Sequence, residues 1–313
     1  MISLLYDNER NSPNRANGHW HFQVLAEKDS RIKLVLKNFD NIWNGQLGSP
    51  IKDNNTCYLS ADGKNWQVIE TNKTPENRLE IDFVMPADSV YVARLEPYRV
   101  SDLEKLKAEI ENNPLIHITE IGRTVENRPL EIIRVGQESA PNRILIRGRA
   151  HAWEPGGNWV IQGLIKNLLK NDPEISEYLT RYCIYILPMA NKDQVVHGGT
   201  RFNLQGMDLN RNWDKKADSF LAPENAALER WLAHQIEVGL KPDLAIDFHN
   251  DAGGNIHISR PEINLDQYLS HMERFEDLLR KHTWFTEGST GSNFRNPGTV
   301  GEGLLERYGI DAL

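Results

Sequence analysis

His151 and Glu154 stand three positions apart in the run His151-Ala152-Trp153-Glu154, directly after the apolar run Arg143-Ile144-Leu145-Ile146-Arg147. A third residue of metal-ligand type, His249, closes a second such run, Asp243-Leu244-Ala245-Ile246-Asp247-Phe248. Two imidazoles and a carboxylate suit a catalytic zinc, which keeps its fourth position open for water or substrate. A lone histidine at a strand edge is more often structural. The carboxylate at spacing three and a second strand-end histidine turn the reading toward metal-assisted hydrolysis. Asp247 precedes His249 by two, so on a strand both side chains leave the same face. It is a candidate partner for the imidazole, with a solvent-facing or capping aspartate as the alternative.

These residues need elements that bring them together. Up to about Tyr98 the chain shows short alternating or apolar runs, at Trp20 to Ala26, Ile32 to Leu36, Leu79 to Met85 and Val90 to Leu95, separated by turn-rich segments. That pattern predicts a small all-β sandwich domain over residues 1–98. Ser101-Asp102-Leu103-Glu104 resembles a capping box opening a helix that runs to about Asn112.

Strands and helices then alternate. A hairpin is expected at 117–122 and 129–135, with strands at 143–148, 183–188 and 243–248. Helices are expected from Pro155, at about 223–238 and at about 264–283. The first carries the stripe Ile161, Leu164, Ile165, Leu168, Leu169. The fold class predicted for residues 99–313 is therefore α/β, a mixed, largely parallel sheet flanked by helices. Both ligand clusters fall at carboxyl ends of strands, where open α/β sheets bind ligands, so they can meet across 95 residues of sequence.

The charge balance is 36 basic against 44 acidic residues, net −8, which speaks against a nucleic-acid partner. No stretch approaches the ~18 apolar residues that span a bilayer, so no membrane partner is expected. The opening Met1-Ile2-Ser3-Leu4-Leu5-Tyr6-Asp7 lacks the basic and long apolar regions of a signal peptide. A cytoplasmic location is expected, with a mature exported form the alternative. Cys57 and Cys183 read as unbridged thiols, Cys183 in a buried apolar strand.

Between Met189 and Phe220 lies a polar loop of 32 residues, long enough to be functional. It contains Thr200-Arg201-Phe202-Asn203 and Asp208-Leu209-Asn210-Arg211-Asn212-Trp213. A guanidinium grips a carboxylate with two parallel hydrogen bonds, and a second one beside a metal can hold an oxyanion. Together with Arg149-Ala150-His151, Pro188-Met189-Ala190-Asn191-Lys192-Asp193 and Asp247-Phe248-His249, these segments resemble the zinc metallocarboxypeptidases. Within that family they are most similar to the cytosolic carboxypeptidase branch. Glu96-Pro97-Tyr98 resembles the segment that joins that branch's amino-terminal β-sandwich to its catalytic domain.

The resemblance implies that His151, Glu154 and His249 hold one zinc ion. It implies that Asn210 and Arg211 bind the terminal carboxylate of a peptide or protein substrate, and that Arg201 polarises the scissile carbonyl. Zinc would act as a Lewis acid and acidify its water. Asn250 departs from the glycine that usually follows the branch's histidine. Gly288 to Thr299 holds no tyrosine of the kind that caps the pocket in digestive members. The family's general-base glutamate follows a Gly-Ile step like Gly309-Ile310, at a position expected about four residues past Leu313, which predicts weak turnover by residues 1–313. Glu302 and Glu306 read as helix residues, not as that base. His257 is a minor candidate for lining the cleft, while His19, His21, His197, His234, His271 and His282 read as packing or surface residues. Two alternatives remain: a zinc amidohydrolase of N-acyl amino acids, whose accessory domain follows the catalytic one, and a non-catalytic zinc- and carboxylate-binding homologue.

Overall fold

A computed structural model describes residues 2–5, 12, 18–37, 41–43, 45–48, 56–250, 253–290 and 298–313. The chain divides into two compact units, Met1–Val100 with Asp193–Met207, and Ser101–Lys192 with Asp208–Leu313.

The first unit is built from β1 (Ile2–Leu5), β2 (His21–Leu25), β3 (Arg31–Lys37), β4 (Asn41–Trp43), β5 (Gln46–Gly48), β6 (Thr56–Ser60), β7 (Gln67–Glu70), β8 (Asn72–Thr74), β9 (Arg78–Val84) and β10 (Ser89–Ala93). Two four-stranded sheets form, ordered β1-β3-β9-β8 and β2-β10-β6-β7, with β4-β5 as a separate hairpin. Strand β9 shows why they pack. Leu79, Ile81 and Phe83 alternate with polar residues and are buried, as the two-residue period of a half-buried strand requires. They meet Val24, Cys57, Leu59, Val90 and Val92 of the other sheet in one core around Trp20. Only β1 against β3 runs parallel within these two sheets.

The second unit comprises α1 (Val100–Ile110, beginning one residue before the unit boundary), β11 (Ile116–Arg123), β12 (Pro129–Val135), β13 (Asn142–Gly148), α2 (Gly156–Leu168), α3 (Pro173–Arg181), β14 (Tyr182–Leu187), α4 (Lys192–His197, which crosses into the other unit), α5 (Pro223–Glu237), β15 (Leu244–Phe248), α6 (Leu265–His282), α7 (Val300–Tyr308) and β16 (Asp311–Ala312). One six-stranded sheet has the order β11-β12-β14-β13-β15-β16. The first two junctions are antiparallel and the last three parallel, so the sheet is mixed, as the sequence predicts.

Ile184 and Ile186 of β14 join a core with α1, α2 and α3, while Tyr185 turns the other way to meet Trp231 of α5 edge-on. Helices on both faces explain why the strand's Cys183 to Leu187 are all buried. Cys57 and Cys183 are buried free thiols.

Some features depart from the sequence expectation. Helix α3 was not anticipated, although Asp172 caps it by accepting from Glu174 N at 2.8 Å and Pro173 opens it. The 189–220 loop contains the short helix α4. Ser101 lies inside the first turn of α1 rather than before it, a shift within the usual scatter of helix ends.

What positions the functional residues is register. Gly148, the last residue of β13, pairs with Phe248, the last of β15. The segments that follow these level, adjacent strand ends leave the sheet side by side. Helix α2 then packs close, for a β-carbon added at Gly157 would lie 2.8 Å from Phe248 Cβ. Gly157→Ala is expected to destabilise the protein by about 1–3 kcal/mol through overpacking. Gly163→Ala in the same helix, exposed and with open space around it, is expected to stabilise by about 0.5–1 kcal/mol. Urea unfolding midpoints of the two variants check the opposite signs.

Candidate metal centre

Past Gly148 the chain turns through Arg149, which adopts a left-handed backbone at φ 59°, a strained state for a side chain this large. Its buried guanidinium holds the turn. Nε donates to Ala152 O at 2.8 Å and an Nη to Asn158 Oδ1 at 2.9 Å. Asn158 in turn donates to Pro188 O at 2.6 Å. The loop carrying His151 and Glu154 is thereby fastened both to α2 and to the end of β14. Helix α2 has no side-chain cap of its own at Pro155. Asn250 Oδ1 accepts from Gly156 N at 3.1 Å instead, which gives the residue after His249 a structural use.

His151, Glu154 and His249 converge, with one ligand atom from each lying within 4.8 Å of the others. The carboxylate sits between the rings: His151 Nδ1 is 2.9 Å from Oε1 and His249 Nδ1 is 2.7 Å from Oε2. Each ring meets a further carboxylate through its other nitrogen. His151 Nε2 is 3.1 Å from Asp208 Oδ1, and His249 Nε2 is 2.8 Å from Asp247 Oδ2. Both inner nitrogens are thus turned to one point while the outer ones are anchored, the arrangement that orients imidazole for a metal. His151 and Glu154 are almost fully buried and His249 is one-fifth exposed, so the approach from solvent is on the His249 side.

The charges are consistent with an ion. Three carboxylates, those of Glu154, Asp208 and Asp247, meet the two rings, and Arg147 bonds one of them, Asp247, leaving positive charge in short supply. Burial alone would favour neutral groups, yet His151 and His249 hold the Glu154 carboxyl well below the usual range. Burial pushes the His249 pKa down, but Asp247 and Glu154 overcome it and raise it to about 10. A divalent cation supplies the charge that this proton otherwise provides. With ligands of this type at about 2.0–2.2 Å, small side-chain movements suffice to close the three donors on zinc.

Asn210 reaches this centre. Its Nδ2 lies 3.3 Å from His249 Nε2, and its Oδ1 accepts from Val300 N at 2.9 Å. Arg211 is half-buried and donates to Asn210 O at 2.7 Å. Arg201, also half-buried, stands in Asp193–Met207, the stretch that groups with the first unit. His257 is exposed. Glu302 and Glu306 accept from the backbone N–H groups of Arg260 and Glu262 at 3.1 and 2.8 Å, so they brace a loop. Of the tyrosine-free stretch Gly288 to Thr299, residues 291–297 lie outside the described residues.

Two residues were not assigned roles from sequence. Asp208 is the partner of His151, and its only sequence signal is its place two before Asn210. Arg147 lies in register with Asp247 and bonds its Oδ2 at 3.2 Å. A charged residue within an otherwise apolar strand was the available clue.

Residues 101–238 match the family model described as zinc carboxypeptidase. Among curated relatives it is 29% identical over 204 residues to cytosolic carboxypeptidase 6 of Caenorhabditis elegans, covering 63% of this chain and 41% of that protein. It is 27% identical over 144 residues to cytosolic carboxypeptidase 2 of Macaca fascicularis, covering 42% of this chain and 17% of that protein. The match therefore spans less than half the length of these relatives. In fold the chain is similar to a metallo-carboxypeptidase from Burkholderia cenocepacia, with TM-score 0.84, 22% identity and coverage of 99% and 82%. It is likewise similar to one from Pseudomonas aeruginosa, with TM-score 0.81, 21% identity and coverage of 99% and 82%. The family implies zinc, and the trio fits it.

Asp208→Asn should weaken zinc binding about 10- to 100-fold, since that is the usual loss when the group behind a ligating histidine is removed. Competition against a chromophoric chelator measures it.

Proposed function

We propose that this protein is a zinc-dependent carboxypeptidase that hydrolyses the carboxyl-terminal residue from a peptide or protein. The observation that carries the reading is the juxtaposition of a His-Glu-His donor set with Asn210, 3.3 Å from His249. His151, Glu154 and His249 would hold a single zinc ion. That ion, when bound, supplies Lewis-acid polarisation and an acidified water.

Arg211 and Asn210 receive the substrate's terminal carboxylate, the guanidinium with two parallel hydrogen bonds and the carboxamide with one more. Arg201 donates to the scissile carbonyl oxygen as negative charge develops there. Residues 1–98 form an accessory β-sandwich domain in this reading, and 99–313 the catalytic domain. The names of the curated relatives favour a cytoplasmic setting. Among the described residues no helix is long and apolar enough to cross a membrane, and the acidic net charge of −8 favours no nucleic-acid partner.

Binding tests the reading independently of turnover. The zinc-loaded chain should bind a peptide with a free terminal carboxylate and reject its carboxyl-terminal amide. Arg211→Met should weaken the former about ten- to a hundred-fold, the scale of a lost charge-assisted hydrogen bond. The Pseudomonas aeruginosa enzyme is described in complex with (2-guanidinoethylmercapto)succinic acid. That compound is a suitable competitor here, and its displacement of the peptide is expected. Equal binding of acid and amide by calorimetry would sink the proposal.

A further inference from the structure

Arg147 is nearly inaccessible, with 3% of its side chain exposed, and it sits in β13 four residues before His151. Its guanidinium spans two structures that the zinc reading treats separately. One Nη donates to Asp247 Oδ2 at 3.2 Å, and the same oxygen lies 2.8 Å from His249 Nε2. The other Nη donates to Leu209 O at 2.8 Å and contacts Asn225 Oδ1 at 3.4 Å.

Leu209 O is the carbonyl of the peptide bond leading into Asn210. It also accepts from Trp213 Nε1 at 2.9 Å and Asn225 Nδ2 at 3.1 Å. The guanidinium carbon lies 5.4 Å from the centre of the Trp213 ring, within range of a cation–π contact. The register that pairs Arg147 with Asp247 fixes the first bond through the sheet, and the buried indole fixes the plane of the guanidinium for the second.

We propose that Arg147 is a positioning residue that locks Asp247 against His249 and, through Leu209, sets the Asn210-Arg211 pair at a fixed place relative to the metal. The inference rests on the zinc reading and adds to it a link between ion and substrate grip. A neutral residue at 147 leaves Asp247 with a buried charge facing only one imidazole. It also releases one of three donors from Leu209 O. The metal ligands and the carboxylate-binding pair then lose their common anchor. Lysine, with a point charge and no planar fork, cannot serve both acceptors at once.

The test uses the whole chain and metal alone as probe. Zinc affinity is measured by chelator competition, and the visible spectrum of the cobalt-substituted protein reports ligand geometry. Arg147→Met is expected to bind zinc about 10- to 100-fold more weakly and to shift the cobalt bands, and Asp247→Asn to do the same. The double variant is expected to lose little beyond either single one, because both act through one contact. If the methionine variant does not fold, Arg147→Lys is read in its place, with a smaller loss of affinity and the same spectral shift expected.

A folded variant with lowered thermal stability but wild-type zinc affinity and cobalt spectrum overturns the inference and makes Arg147 a packing residue. Additive losses in the double variant overturn it equally. A wild type that binds no zinc defeats the zinc reading itself, and this inference with it.

Discussion

Glu154 lies buried with an imidazole nitrogen on each of its two oxygens, and the rest of the site is arranged around keeping that contact in place. A carboxylate removed from water is costly unless its charge is met. Here it is met twice, by rings that arrive from different strand ends. Each ring is prevented from turning away by an aspartate on its far side. The result is a point of high negative potential enclosed by protein, lined by donors that a soft-to-borderline dication accepts.

Holding three carboxylates so close requires compensation from further out. Arg147 supplies it from the adjacent strand, bonding Asp247 and Leu209 O. Arg149 instead braces the ligand loop through neutral acceptors, Ala152 O and Asn158 Oδ1, at the expense of a left-handed backbone. Both guanidiniums are buried and bonded to named acceptors, a condition under which buried charge can specify a structure. The sheet makes this possible. Parallel strands with level ends deliver their following loops to one edge, and helices on both faces keep water from the anchoring layer.

Much of this was legible from residues alone. The His-x-x-Glu spacing and the strand-end histidine pointed to the three residues that the fold gathers at one point. The alternation of apolar runs with a 3.6-residue stripe at Ile161 to Leu169 gave the strand–helix order. Asp247 was readable as a partner because a strand's two-residue period places it on the same face as His249. Less legible were features that depend on long-range packing. Asp208 and His151 are 57 residues apart and Arg147 and Asp247 are 100 apart. Their positions carry local signals, but no local signal says which residue pairs with which. Helix α3 packs Ile175, Tyr178 and Leu179 on the core, but at nine residues it is too short for that stripe to repeat as a period.

By itself, then, the amino-acid order determined the chemistry on offer, namely which donors exist, on which elements they sit and at which end of those elements. These follow from local stereochemistry, since strand and helix periods are properties of short stretches of backbone. The folded chain alone decided the pairing of His151 with Asp208. It also decided the enclosure of Arg147 between Asp247 and Leu209 and the grouping of Asp193–Met207, with Arg201, into the first compact unit. Those outcomes depend on strand register and on side-chain packing across distant segments, and no spacing in the linear chain encodes them.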